Sequence, residues 1–458
     1  MMNKEELSDL NRREFLKGGS FATLMALLGA VELRAQDQPK AASGNTEYKT
    51  IGNPVNCGVI GCGAWGREIL KNLARLPNAP VIAICDTYEA YLRRAAESAP
   101  KAEKYTDYRK VLENKEVQAV FVATPSHLHR EIVIEALKAG KHVYCEAPLA
   151  TTIEDARAIA SAAKAALKQN FQAGLQTRSD PQRHFLLSFV RTGAMGRNVM
   201  ARAQAHKKQS WRRTSPTTER EKALNWRLSN ATSNGLIGEI GLHQVDAASW
   251  FLNARPLSVT GFGGILHWTD GRDVPDTVQA VFEFPGSVNL TYDCTLGNSF
   301  DADYEMYYGT DAALMIRENK AWMFKEVDSP LLGWEVYARK DSFYKETGIA
   351  LVANATKLTA QGSNPTADAA AEDPPLHYAL EAFIANSDAV GTGVEDFAAS
   401  FNVNDTKALR EYLTGLAKNL SPFAGYKEGL VATITAIKAN EAILTKQKIT
   451  FKDEWFAL

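Results

Sequence analysis

The stretch VNCGVIGCGAWGREIL, Val55 to Leu70, breaks an apolar run at Gly61-Cys62-Gly63-Ala64-Trp65-Gly66 and continues into a helix-like segment. A second apolar run, Val81-Ile82-Ala83-Ile84-Cys85, closes on Asp86. The pattern predicts a strand, a glycine turn, a helix and a strand. A pyrophosphate approaches a backbone only where no Cβ intervenes, and it is best held where unpaired helix N-terminal N–H groups point at it. Gly61 makes the tight turn, Gly63 admits the pyrophosphate and Gly66 lets the helix pack on its strand. A lone G-x-G-x-x-G is weak evidence. With a strand before it, a helix after it and an acidic residue about 20 positions further on, it reads as a dinucleotide-binding fingerprint, and Ala64 and Trp65 inside the bend belong to the same site.

Asp86 indicates which dinucleotide. A carboxylate at the end of the second strand accepts hydrogen bonds from ribose hydroxyls and repels a 2′-phosphate, so NAD is favoured over NADP. Arg93 and Arg94 would receive a phosphate if they folded back over the ribose; they are read instead as the solvated face of the following helix.

A chain of 458 residues exceeds one ordinary core and points to two domains. Its 45% hydrophobic and 23% charged content is ordinary for a globular protein, and a net charge of -1 gives no reason to expect nucleic acid or an anionic membrane as partner. Near the start, Asn11-Arg12-Arg13-Glu14-Phe15-Leu16-Lys17 is a twin-arginine stretch, followed by an apolar run from Phe21 to Val31 too short to span a bilayer comfortably. We therefore read 1–36 as a twin-arginine signal peptide served by the twin-arginine export machinery, either cleaved after Leu33-Arg34-Ala35 or retained as an anchor. The mature chain is expected in the periplasm or outside the cell, with no integral membrane span. Residues 37–53 read as a linker. The five cysteines lie in or beside apolar runs without C-x-x-C spacing, so neither a metal knuckle nor a redox pair is indicated.

Alternation continues after Asp86. Ala119 to Ala123 is a strand ending at Thr124-Pro125-Ser126-His127-Leu128-His129, and Lys141 to Cys145 is a strand ending at Glu146-Ala147-Pro148. Ligands of an open α/β sheet lie beyond the carboxyl ends of its strands, where Thr124, Pro125, His129, Glu146, Ala147 and Pro148 sit. The Rossmann domain is placed at 54–172. In 173–458, five runs of β-type content (Val199 to Ala205, Leu257 to Gly264, Val278 to Phe284, Val288 to Cys294, Tyr304 to Gly309) precede a polar stretch from Ala355 to Asp373 and a late helix from Leu430 to Leu444.

Within Gly235-Leu236-Ile237-Gly238-Glu239-Ile240-Gly241-Leu242-His243-Gln244-Val245-Asp246, Glu239 and His243 are four apart and Asp246 three beyond, so on one helix face a carboxylate would hold the tautomer of a general base. Glu239 and His243 would also suit a metal, but spacing shows no third ligand. Trp211-Arg212-Arg213 and Asn225-Trp226-Arg227 offer indole faces for a sugar ring and guanidinium forks for hydroxyls. The alternative is that the indoles pack under a long loop. Gln176 and Arg178 are placed in the same cleft.

These residues resemble the glucose-fructose oxidoreductase, inositol dehydrogenase and MocA family (Gfo/Idh/MocA). The resemblance rests on Gly61 to Gly66, Ala123-Thr124-Pro125 with His129, Ala139 to Val143, Glu146 to Ala150, Gly174 to Arg178 with Pro181, and Gly235 to Asp246. It implies a Rossmann domain followed by a C-terminal α/β domain on a large open antiparallel sheet, a homo-oligomer, a carbohydrate substrate, and His243 as the catalytic histidine with Glu239 in place of the family aspartate. Ala147 departs from the family's Glu-Lys-Pro. Three functions stay open: hydride transfer from a sugar carbinol to NAD, redox-assisted glycoside hydrolysis with retained NAD, and sugar binding without catalysis.

Overall fold

The computed structural model describes residues 52–317, 320–331, 340–343, 346–351 and 373–458. The twin-arginine stretch and residues 355–372 of the polar stretch lie outside the described residues.

Six parallel strands form the first sheet: β1 (Cys57–Ile60), β2 (Val81–Cys85), β3 (Glu103–Tyr105), β4 (Ala119–Val122), β5 (His142–Cys145) and β6 (Phe171–Ala173), in the order β3-β2-β1-β4-β5-β6. Ile60 pairs with Cys85 on one side and Val122 on the other, so Gly61, Asp86 and Ala123 emerge along one edge. The strand order reverses between β1 and β4, where an open α/β sheet leaves a crevice. Both faces are covered, which is why these strands read as unbroken apolar runs. Phe121 of β4 packs with Ile69, Leu70 and Phe383, while Val120 and Val122 pack with Ile132, Ile159 and Ile434.

Part of that cover comes from the end of the chain. The helices Pro375–Ser400 and Tyr426–Thr445 return to the first sheet, and the Phe383 ring lies 5.1 Å from Phe121 and 5.7 Å from Tyr144.

Ten strands form the second sheet: β7 (Asn198–His206), β8 (Ser258–Gly264), β9 (Thr277–Glu283), β10 (Asn289–Thr295), β11 (Asp303–Gly309), β12 (Ala312–Arg317), β13 (Lys320–Lys325), β14 (Lys340–Phe343), β15 (Glu346–Leu351) and β16 (Ile449–Thr450). Their order is β14-β15-β13-β12-β11-β7-β10-β9-β8-β16. The expected antiparallel sheet is antiparallel except where β7 and β10 run parallel. Alternation sets its faces: Ala201, Ala203 and Ala205 of β7 and Leu290, Tyr292 and Cys294 of β10 point into a core shared with Val245, Phe251 and Ile443. All five cysteines are free and buried, and no described helix is long and apolar enough to cross a membrane.

The bend after β1 is tightly packed. Gly61 holds φ +96°, and a Cβ there would sit 2.6 Å from the Ala123 carbonyl group. A Cβ on Gly66 would lie 1.8 Å from the Gly61 oxygen, whereas one on Gly63 would meet nothing within 4 Å. Gly66→Ala is therefore expected to destabilise the protein by about 1–3 kcal/mol or more, since neither backbone can give way, while Gly63→Ala leaves the melting temperature unchanged. Thermal unfolding of the two variants side by side checks both.

Candidate functional site

A cleft of about 2040 Å³ opens beyond the strand ends of the first sheet, walled on the far side by residues 211–232 and His243. A pocket for one small ligand is roughly 300–1,000 Å³. This cleft has room for a dinucleotide and a second small molecule.

Its floor is the glycine bend. The helix Ala64–Leu73 starts at Gly63 without a side-chain cap, and Gly63, Ala64 and Trp65 line the cleft, so the end of the helix whose N–H groups have no partner within the helix borders it. Trp65 lines the same wall and is exposed. Asp86 is fixed by its own backbone neighbours, Oδ2 accepting from Cys62 N–H at 2.9 Å and Oδ1 from Tyr88 N–H at 2.8 Å. Thr124 and Pro125 line the cleft, and the buried Thr124 hydroxyl has no partner among the described residues.

His129 ties two loops together. Its Nε2 lies 2.9 Å from the Thr124 carbonyl and its Nδ1 3.1 Å from the Pro148 carbonyl. Burial pushes its pKa down to about 4, so the ring is neutral and donates through one nitrogen at a time. The peptide between Ala147 and Pro148 is cis, Ala147 and Glu146 line the cleft, and Glu146 is buried with Oε1 unpartnered among the described residues. Burial pushes the Glu146 carboxyl up to about 7, against the Trp65 indole, the Ala147 N–H and the Arg227 guanidinium, which favour the charged form.

At the other end the segment read as one helix is broken. Ile237–Gly241 is a π-helical turn leading into the α-helix Leu242–Leu252. This spoils the i, i+4 geometry, because a π-turn carries an extra residue. Glu239 and His243 both line the cleft, but the hydrogen bonds do not place a carboxylate behind the imidazole. Glu239 accepts from Ser233 Oγ at 3.3 Å and lies 3.6 Å from Arg227 Nε, and burial raises its pKa. Asp246 is turned away and takes a fork from Arg178, Nε to Oδ2 at 2.9 Å and Nη2 to Oδ1 at 2.8 Å. The reading of Arg178 as a cleft residue is corrected by that pair: its guanidinium is held between Asp246 and the Trp250 ring, 5.2 Å away, and it does not line the cleft, although Gln176 does. Burial lowers the pKa of His243 while the Asp246 charge raises it, the net shift being downward.

Trp211, Trp226 and Arg227 come together. The Arg227 guanidinium lies 4.9 Å from the Trp226 ring and 5.8 Å from the Trp211 ring, and Trp226 is 6.1 Å from His127. Arg212 lines the cleft but is engaged with Glu221 and, at 2.7 Å, with the Asp270 carbonyl. One cleft residue not singled out from the sequence is Arg220, whose Nη2 stands 3.7 Å from Asp86 Oδ1. Its contact lies 134 positions away, beyond any spacing rule.

Residues 55–174 match the oxidoreductase family model with an NAD-binding Rossmann fold, and residues 186–314 match the GFO/IDH/MocA C-terminal domain. A levoglucosan dehydrogenase of Pseudarthrobacter phenanthrenivorans is 30% identical over 296 residues, spanning 57% of this chain and 73% of that protein. The chain belongs to the GFO/IDH/MocA family. Another member, an inositol 2-dehydrogenase of Saccharopolyspora erythraea, is 29% identical over 235 residues, 51% of this chain and 64% of that one. A solved family structure, levoglucosan dehydrogenase in complex with NADH, superposes with a TM-score of 0.64 over 87% of this chain and 99% of that one. At 18% identity that likeness is one of fold.

The raised pKa of Glu146 has a measurable sign. The folded protein binds this proton more tightly than the unfolded chain, so the contribution is fully present below pH 4.5 and is lost as pH rises through about 7. Glu146→Gln is expected to gain up to roughly 3 kcal/mol relative to the wild type between pH 4 and pH 8, the worth of such a shift. Melting temperatures of both nucleotide-free proteins across that range read it.

Proposed function

We propose that this chain is an exported NAD-dependent oxidoreductase acting on a sugar or sugar derivative, with His243 as general base. The observation that carries the reading is one cleft joining the uncapped helix at the glycine bend to an imidazole from the second domain. The residues suit NAD: Gly63 leaves open space for a pyrophosphate, Asp86 offers acceptors to ribose hydroxyls, and Thr124 has a buried hydroxyl without a partner among the described residues. Bound NAD would supply the hydride acceptor for a carbinol carbon.

The protein's own share is binding and proton movement. The Trp211 and Trp226 rings offer apolar faces to a pyranose, and Arg227 between them reaches hydroxyls. His243 takes the hydroxyl proton; burial lowers its pKa, which favours the neutral, accepting form of the ring. Gln176 lies within the same wall. Ala147 cannot polarise the reacting hydroxyl as a lysine would, so Arg227, close enough to bias both Glu146 and Glu239, is the cation at this end. Ala147 also supports a second reading, in which the hydride is returned to the same sugar after its glycosidic substituent has been exchanged for water, giving net hydrolysis.

Purified protein is to be incubated with NAD and a panel of sugars and aryl glycosides. NADH formation supports the oxidoreductase, aglycone release without NADH the hydrolase, and neither contradicts both. In the active assay, His243→Ala is expected to lower kcat/KM by about 10²–10⁴, the usual worth of a positioned base, with NADH still bound. The acid limb of the wild-type kcat/KM profile should fall below the ordinary histidine value and vanish in the variant; full activity in His243→Ala removes the imidazole from the mechanism.

A further inference from the structure

Residues 207–234 leave the second sheet after β7, cross the cleft and return to the π-turn. Their middle is the helix Thr218–Leu224, whose N-cap Thr217 accepts from the Arg220 N–H at 3.4 Å. Arg220 extends from this helix to the Rossmann domain at the end of β2. Its Nη2 is 3.7 Å from Asp86 Oδ1 and its Nη1 donates to Thr87 Oγ1 at 3.4 Å. The guanidinium carbon stands 4.3 Å from the centre of the Tyr88 ring and 5.6 Å from that of Tyr91, and the two rings pack edge to face at 5.1 Å. Nε is buried without a partner among the described residues, and 21% of the side chain is exposed.

This is an unsaturated contact. The approach to Asp86 at 3.7 Å is too long for a hydrogen bond, and Asp86 is already oriented by the Cys62 and Tyr88 N–H groups. A planar cation lying on one aromatic face, with donors to spare, is suited to a further flat or hydroxylated group in the same corner. The lining residues of that corner, Asp86, Thr87, Tyr88, Tyr91 and Arg220, all belong to the cleft that starts at the glycine bend.

We propose that Arg220 is a dinucleotide-binding residue contributed by the second domain, holding the adenosine end and limiting its release. The inference rests on the reading of the cleft as an NAD site. A ribose on Asp86 is met by the Rossmann bend on one side and by Arg220 on the other, so the nucleotide leaves only after the helix Thr218–Leu224 moves off the Tyr88 ring. The same crossing segment carries Trp226 and Arg227 at the sugar end. Nucleotide release and disruption of the sugar wall are therefore linked.

The test uses the full chain loaded with NADH and mixed with excess NAD in a stopped-flow fluorimeter. Arg220→Ala is expected to speed NADH release about tenfold or more, since differences of this kind fall mainly on dissociation. ADP-ribose should weaken in proportion, and nicotinamide mononucleotide should bind as in the wild type. Tyr88→Leu, which removes the surface under the guanidinium, should speed release in the same way, and the double variant should be no faster than the faster single one. Melting temperatures without nucleotide establish that each variant is folded. Unchanged release in both single variants overturns the proposal, as does equal loss of ADP-ribose and nicotinamide mononucleotide binding. A wild-type protein that takes up no NADH is a different failure: it overturns the reading of the cleft, and this inference with it.

Discussion

At the end of β1 two stretches of backbone meet with no room for a side chain, since a Cβ on Gly66 would lie 1.8 Å from the Gly61 oxygen. The rest of the site depends on it. That contact lets the helix Ala64–Leu73 start directly at the strand end, so that Gly63, Ala64 and Trp65 line the crevice between β1 and β4. The register of the sheet brings Asp86 and Thr124 to the same edge, and the cover on both faces, including helices from the far end of the chain, holds that edge in place.

Electrostatics in and behind the cleft follows one scheme. Asp86, Glu239, Asp246 and Glu305 each face an arginine from the second domain: Arg220 at 3.7 Å, Arg227 at 3.6 Å, Arg178 at 2.8 Å and Arg183 at 2.6 Å. The last two are tight forks that brace the framework. The first two are loose contacts inside the cleft, leaving donors for a ligand. Glu146 has no such close partner, which is why burial dominates its proton affinity.

Much of this was legible in the sequence. The glycine bend, the strand ends at Asp86, Thr124 and Glu146, and the first five strands of the second sheet have local signatures, either a glycine requirement or a period of two. The helix Pro375–Ser400 is not legible in the sequence, because it is apolar around most of its circumference and interrupted by Gly391 and Gly393. The π-turn at Ile237–Gly241 was not legible either, since an α-helical period assigns Glu239 and His243 to one face regardless. The arginine partners are long-range: Arg178 and Asp246 are 68 positions apart, and no spacing rule reaches that far. Local chemistry was therefore legible residue by residue, while the pairing that decides which carboxylates are free was not.

The central claim is that a dinucleotide lies across the glycine bend with its reactive ring on the side of His243. A crystal structure of the protein grown with saturating NADH tests it most directly. The account predicts pyrophosphate density against the N–H groups that follow Gly63, a ribose on Asp86, and the nicotinamide ring between Glu146 and His243. A dinucleotide bound elsewhere, or one whose nicotinamide end points away from His243, would contradict it.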